Sequence, residues 1–208
     1  MMPGLSGGRL LLLVLFKEFL TVSVRISVPS KRHFASAHAS FGVKQLPLVD
    51  VFVISILFTL RVVMGTAVIG LHYSPWLLTF SWAFFLSLAL AKRHAEVVRA
   101  FHIDVEDVIG RGYRGADWPL TLSLGVGSGL ISIVIMLLYL TNDAAPSGFY
   151  GSPRWPYAVP ALMMIWSMRI WLLSNRMKLD DDAVIFALKD RTSLVLGLGV
   201  ALAFLMAL

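Results

Sequence analysis

Hydrophobic residues in this chain run in long stretches, and the polar residues collect between them. A helix needs roughly 20 apolar residues to cross a bilayer. Five such spans are predicted, over about 50–72, 75–92, 119–141, 156–174 and 192–208. The predicted fold class is therefore all-α, a polytopic membrane helix bundle of about five transmembrane helices. The first two spans part at Leu71-His72-Tyr73-Ser74-Pro75, so the ends carrying Asp50 and Glu96 return to the same membrane surface.

Within the run from Val49 to Leu90 stands one arginine, Arg61. Charge at the centre of a bilayer costs at least about 3 kcal/mol, and an ionisable residue there marks a site by default. At 100° per residue Asp50 and Arg61 project within about 20° of each other, about 16 Å apart along the axis. They are predicted to line one face, with Asp50 as the partner of Arg61. Lys92 and Glu96 are spaced i, i+4, and Arg93 and Glu96 i, i+3, which gathers their heads at the inner mouth of the second span. A snorkelling Lys-Arg pair with a helix salt bridge explains these three residues equally well. Arg169 is expected to snorkel.

Basic residues set the expected orientation. Lys31, Arg32 and Lys44 precede the first span; Lys92, Arg93, Arg99, Arg111 and Arg114 lie between the second and third; Arg176, Lys178, Lys189 and Arg191 lie between the fourth and fifth. The other two loops hold only Arg154. The positive-inside rule then puts the N-terminus and both long loops in the cytoplasm of a cell-membrane protein, and the C-terminus outside.

Residues 1–43 read as a poorly defined N-terminal segment and 44–208 as the transmembrane domain. Leu10–Val24 is apolar but is split by Lys17-Glu18 and too short to span unaided, so an interfacial or unstructured segment is expected. From Ala91 the recurrence of Ala95, Val98, Phe101, Val105 and Val108 predicts an amphipathic helix at the membrane surface. Gly110-Arg111-Gly112-Tyr113-Arg114-Gly115 ends it. The turn offers backbone N–H groups and the Arg111 and Arg114 guanidinium forks to an anion, and anchoring on anionic lipid explains the same residues. Asp180-Asp181-Asp182 is predicted to cap a second short helix, Ala183–Lys189. Gly125-Val126-Gly127-Ser128-Gly129 reads as a close-packing face or as a hinge.

Composition agrees with a membrane protein: 58% of residues are hydrophobic and 14% charged, against about 25% charged in soluble domains. The mean hydropathy is +0.79. The net charge of +6 does not point to nucleic acid, because the basic residues sit between apolar spans and not along one exposed face. With no cysteine in the chain, disulfides, thiolate metal sites and thiol nucleophiles are excluded.

Several ordered patches carry a family likeness. Lys44-x-x-Pro47-Leu48-Val49-Asp50-Val51, Thr59-Leu60-Arg61-Val62 with Gly65, Ser74-Pro75-Trp76, Phe85-Leu86 and Lys92-Arg93-x-Ala95-Glu96 resemble the second half of the UbiA superfamily of intramembrane polyprenyl transferases. Gly110-Arg111-Gly112-Tyr113-Arg114 and Phe186-Ala187-Leu188-x-Asp190-Arg191 continue the likeness, which is nearest the branch resembling decaprenyl-phosphate phosphoribosyltransferase. The resemblance implies the last five helices of a nine-helix fold. It implies transfer of a prenyl or phosphoribosyl group on a polyprenyl (di)phosphate lipid, and a magnesium ion. By the same likeness Lys92, Arg93 and Glu96 are the candidate catalytic residues. Lys44, Asp50, Arg61, Arg111 and Arg114 are the candidate substrate-binding residues, and Asp50 and Glu96 the candidate metal ligands. The family's first aspartate-rich motif has no counterpart here, so an incomplete copy lacking an N-terminal half is expected, inactive by itself. The competing reading is a non-catalytic membrane module that binds lipid or serves assembly, in which the charges only fix topology.

Overall fold

The computed structural model describes residues 46–68, 74–103, 108, 112–146, 150–152, 154–179 and 190–207. Among these residues five α-helices follow in order: α1 (Val49–Val68), α2 (Pro75–His102), α3 (Trp118–Tyr139), α4 (Ala158–Asn175) and α5 (Arg191–Ala207). A 3-10 turn at Gly115–Asp117 leads into α3, a π turn at Leu140–Ala144 extends it, and a 3-10 turn at Trp155–Tyr157 leads into α4. The stretches Val49–Ala67, Pro75–His102, Gly115–Ala144 and Trp155–Asn175 are long and apolar enough to cross a membrane, while Arg191–Ala207 is apolar and shorter. The chain is a multi-pass membrane helix bundle, as its hydropathy predicts.

Local sequence explains the helix ends. Pro75 opens α2 and Pro119 sits in the first turn of α3, where a missing N–H costs nothing. Asp190 caps α5, its Oδ2 accepting from the Ser193 N–H at 2.8 Å. α4 closes in a paired-bond cap: the Lys178 N–H donates to the Leu173 carbonyl and the Met177 N–H to the Ser174 carbonyl. Such a cap puts its penultimate residue in the left-handed region, and here Met177 takes φ 55° where glycine is usual.

α2 is the central helix, packing against α1, α3 and α4, while α5 packs on α4. It also runs further than its sequence suggests. The stretch from Ala91 is not a separate surface helix but the last turns of α2, with Ala95 2% and Val98 5% exposed inside the bundle. Phe101, at 52% exposure, keeps the outward face expected of the pattern. Val105 lies outside the described residues, as does the predicted helix 183–189 with its aspartates 180–182.

Small residues let α2, α3 and α4 close up. A Cβ on Gly125 would come within 2.0 Å of the Trp171 ring, and one on Gly129 within 2.8 Å of the Ser87 hydroxyl. Trp171 Nε1 donates to Ser87 Oγ at 3.2 Å, and Ser87 Oγ donates to the Gly125 carbonyl at 2.8 Å. Ser174 Oγ donates to the Ala91 carbonyl. Gly125 and Gly129 thus make a packing face, and α3 runs through the stretch as an unbroken helix.

Candidate functional site

Because consecutive helices run antiparallel, the start of α1, the ends of α2 and α4 and the starts of α3 and α5 share one end of the bundle. Lys92, Arg93, Arg99, Arg114, Arg176, Lys178 and Arg191 all lie at this end, and Arg154 at the other. Two polar clusters form there.

The first is built on Asp50. In the first turn of α1 its carboxylate meets the positive end of the helix dipole, and Oδ1 accepts from the Val51 N–H at 2.9 Å. Arg93 reaches it from α2, with Nη2 2.6 Å from Oδ2 and both side chains buried. Arg93 Nη1 also pairs with Glu96, one turn along the same helix. The Tyr113 hydroxyl donates to Asp50 Oδ1 at 2.9 Å and accepts from the Leu48 N–H at 2.6 Å. Leu48 takes φ 68°, a strained conformation that aims this N–H at the phenol. The Arg93 guanidinium carbon lies 5.4 Å from the centre of the Tyr113 ring. Burial pushes the Tyr113 phenol up to about 12, although the Leu48 N–H pulls the other way and the Asp50 charge adds to the rise. The phenol is therefore a proton donor at any physiological pH.

The second cluster is built on His94, which is fully buried. Nδ1 lies 2.9 Å from Thr121 Oγ1 on α3, and Nε2 3.3 Å from Asn175 Oδ1 on α4. The Trp171 ring packs beside the imidazole at 5.8 Å between centres. Nearby, Arg169 does not simply snorkel: its Nη2 is 2.8 Å from Asp190 Oδ1. Burial, the largest single influence, raises the Asp190 carboxyl, but the Ser193 N–H, the Arg169 guanidinium and the Ser193 hydroxyl together outweigh it and hold the group below its usual range.

An apolar groove leads away from the first cluster. α1 and α3 both lean on α2 and splay from each other, leaving about 300 Å³ between them. Leu48, Val51 and Phe52 form one wall, Leu124, Gly127 and Ile131 the other, and α2 supplies the floor with Trp82, Leu86 and Leu90. A Cβ on Gly127 would meet nothing within 4 Å, so this glycine holds the groove open.

The residues singled out in the sequence are thus brought together only in part. Asp50, Arg93 and Glu96 converge, with Lys92 half-buried on the same turn as Arg93. The expected pairing of Asp50 with Arg61 is not formed. Asp50 is held by Arg93, whereas the Arg61 guanidinium sits 5.0 Å over the Phe58 ring. The arginine of a neighbouring helix outcompetes one lying 16 Å further along the same helix, to within about an ångström of ideal rise. Arg114 is exposed, with its backbone N–H bonded to Asp117 Oδ2 at 2.8 Å. Lys44 and Arg111 lie outside the described residues. Tyr113 and His94 were missed as site residues, although each stands inside a string that the sequence marks.

Asp50 and Glu96 do not form a magnesium site among the described residues. No three His, Asp or Glu side chains converge there, and Arg93 occupies the place between the two carboxylates that a metal would need.

Two curated relatives match the chain. One is "Uncharacterized protein y4nM" of Sinorhizobium fredii (strain NBRC 101917 / NGR234), 52% identical over 169 residues that make up 81% of this chain and 33% of that protein. The other is "Nodulation protein NoeC" of Azorhizobium caulinodans, 29% identical over 164 residues, 76% of this chain and 52% of that protein. The chain therefore spans about a third and about a half of the lengths of these relatives. No family model and no solved structure matches it.

Proposed function

We propose that the chain is part of a UbiA-type membrane transferase that acts on a polyprenyl phosphate or diphosphate and transfers a prenyl or phosphoribosyl group. One observation carries this reading: the apolar groove between α1 and α3 begins at Leu48 and Val51, the two neighbours of the Asp50–Arg93–Tyr113 cluster. A lipid chain lying in the groove brings its head group to the end of the bundle where the cations are concentrated. Lys92 and Arg93 there neutralise a phosphate leaving group, and the Tyr113 hydroxyl and Glu96 hold and move protons beside it. The basic end faces the cytoplasm on this reading, following the Lys/Arg distribution. Magnesium, which the family likeness implies, needs ligands beyond Asp50 and Glu96, and no step is assigned to it.

The test is binding of isotope-labelled geranylgeranyl phosphate to the chain in lipid nanodiscs. A Cβ on Gly127 meets open space, so Gly127→Leu places its side chain in the groove and is expected to weaken binding about tenfold, the equivalent of about 1.4 kcal/mol. Equal affinity of the two proteins, or equal affinity for geranylgeraniol without its phosphate, overturns the reading.

A second reading, a non-catalytic membrane module, has its own support in the engagement of Arg93 by two carboxylates. Its charges would then hold helices together. On that reading Lys92→Ala and Glu96→Gln alter thermal stability and leave phosphate binding unchanged.

A further inference from the structure

The floor of the groove and the buried ion pair lie on one line of α2. Trp82, Leu86 and Leu90 follow at four-residue spacing, and Arg93 comes next, three residues and about 4.5 Å further along the axis. At 100° per residue Arg93 projects within about 20° of Leu86, so a chain laid along this floor ends against the guanidinium. Two carboxylates already meet it there. Nη2 pairs with Asp50 and Nη1 with Glu96, while Nε–H meets no acceptor among the described residues although the side chain is 3% exposed. They are held very differently. Asp50 is 5% exposed and also accepts from the Val51 N–H and the Tyr113 hydroxyl, which would lose their acceptor if it moved. The Glu96 side chain is 28% exposed. It stands three residues before Arg99, which is exposed, at the spacing that lets helical side chains pair. Glu96 can thus pass from a buried cation to an exposed one by turning its own side chain, with α2 unmoved.

We infer that Glu96 is a built-in competitor that sets which head group the site accepts: its carboxylate occupies Arg93 Nη1, and a phosphate binds by displacing it toward Arg99. The inference rests on the reading of the groove and Arg93 as a lipid-phosphate site, and adds the basis of its selectivity. A phosphate monoester at neutral pH carries about −1.5 to −2 charge and three acceptor oxygens, so it takes the place of a carboxylate with a gain. An alcohol brings no charge and cannot take it. The spare Nε–H shows that two carboxylates leave the guanidinium with a donor still to satisfy. Asp50 stays in place throughout and keeps Arg93 at the head of the groove.

The test compares labelled geranylgeranyl phosphate with labelled geranylgeraniol on the full chain in lipid nanodiscs. Glu96→Gln keeps the shape of the side chain and removes its charge. It is expected to tighten the phosphate about fivefold, the equivalent of about 1 kcal/mol, as for release of a partly exposed ion pair. Affinity for the alcohol should not change. In a background of Asp50→Asn with Arg93→Gln, where Arg93 no longer stands behind Glu96, the gain should vanish. Tightening of both ligands alike overturns the inference, and so does an equal gain in that background, since Glu96 would then act only as a distant charge. If both proteins prefer the phosphate to the same degree, the inference falls and the site reading stands. If neither prefers it to the alcohol, the site reading falls and the inference with it.

Discussion

Arg93 near the end of α2 and Asp50 at the start of α1 form an ion pair 2.6 Å long with both partners shielded from solvent. It joins α1 to α2. Removing one partner of a buried pair costs about 3–5 kcal/mol when the other charge is left stranded, and Asp50→Ala leaves the buried Arg93 with Glu96 alone. Asp50→Ala is therefore expected to lower the melting temperature sharply in detergent. Adding Arg93→Met should recover much of the loss in a double-mutant cycle. If the two changes add without coupling, the pair does not hold α1 to α2.

The glycines of α3 should respond very differently to the same change. Gly125→Ala drives a methyl into the Trp171 ring, which is buried and has nowhere to move, whereas Gly127→Ala adds a methyl to open space. Thermal unfolding is expected to show a loss of about 2 kcal/mol or more for the first, as for overpacked cores. The second should be neutral or slightly stabilising.

Met177 offers a gain. An L-residue in the left-handed region costs about 1–2 kcal/mol, which glycine avoids. Met177→Gly keeps both capping bonds of α4 and is expected to stabilise the protein by about 1 kcal/mol.

The Tyr113 phenol gives a pH signature. With its folded value raised to about 12 from 10.0, the fold binds this proton more tightly than the unfolded chain does. The associated stability is fully present below pH 10 and is lost as pH rises toward 12. Burial raises the Tyr150 phenol as well, so absorbance at 295 nm should show a late-ionising tyrosine component in the folded protein, and Tyr113→Phe should reduce its amplitude by one tyrosine.

Orientation is open to a direct check. Asn142 and Gly112 are both exposed and lie at opposite ends of the bundle. In intact cells an impermeant thiol reagent is expected to label Asn142→Cys and to spare Gly112→Cys. The reverse pattern would put the basic end outside.

The helices were legible because a bilayer demands length and apolarity, and those are properties of composition in a window. What the sequence does not hold is which helix packs on which. Asp50 and Arg61 share a face by angle, yet the partner of Asp50 comes from α2. Ala95 and Val98 carry the pattern of an interfacial helix, since helix period alone cannot tell a lipid face from a protein face. In the sequence Tyr113 reads only as part of a basic turn. Its neighbours Arg111 and Arg114 point toward anions, while its hydroxyl serves Asp50. His94 had one available signal: it stands one turn after Ala91 and one before Val97 and Val98, all buried.

Trp171 seated over Gly125 has a mechanical consequence. A ring lodged in a notch, with its nitrogen tied to Ser87, fixes the sliding register of α2, α3 and α4 as one stiff block. α1 rests on α2 through a gentler surface and is pinned at one end by Asp50. A swing of α1 about that pin would open or close the groove itself.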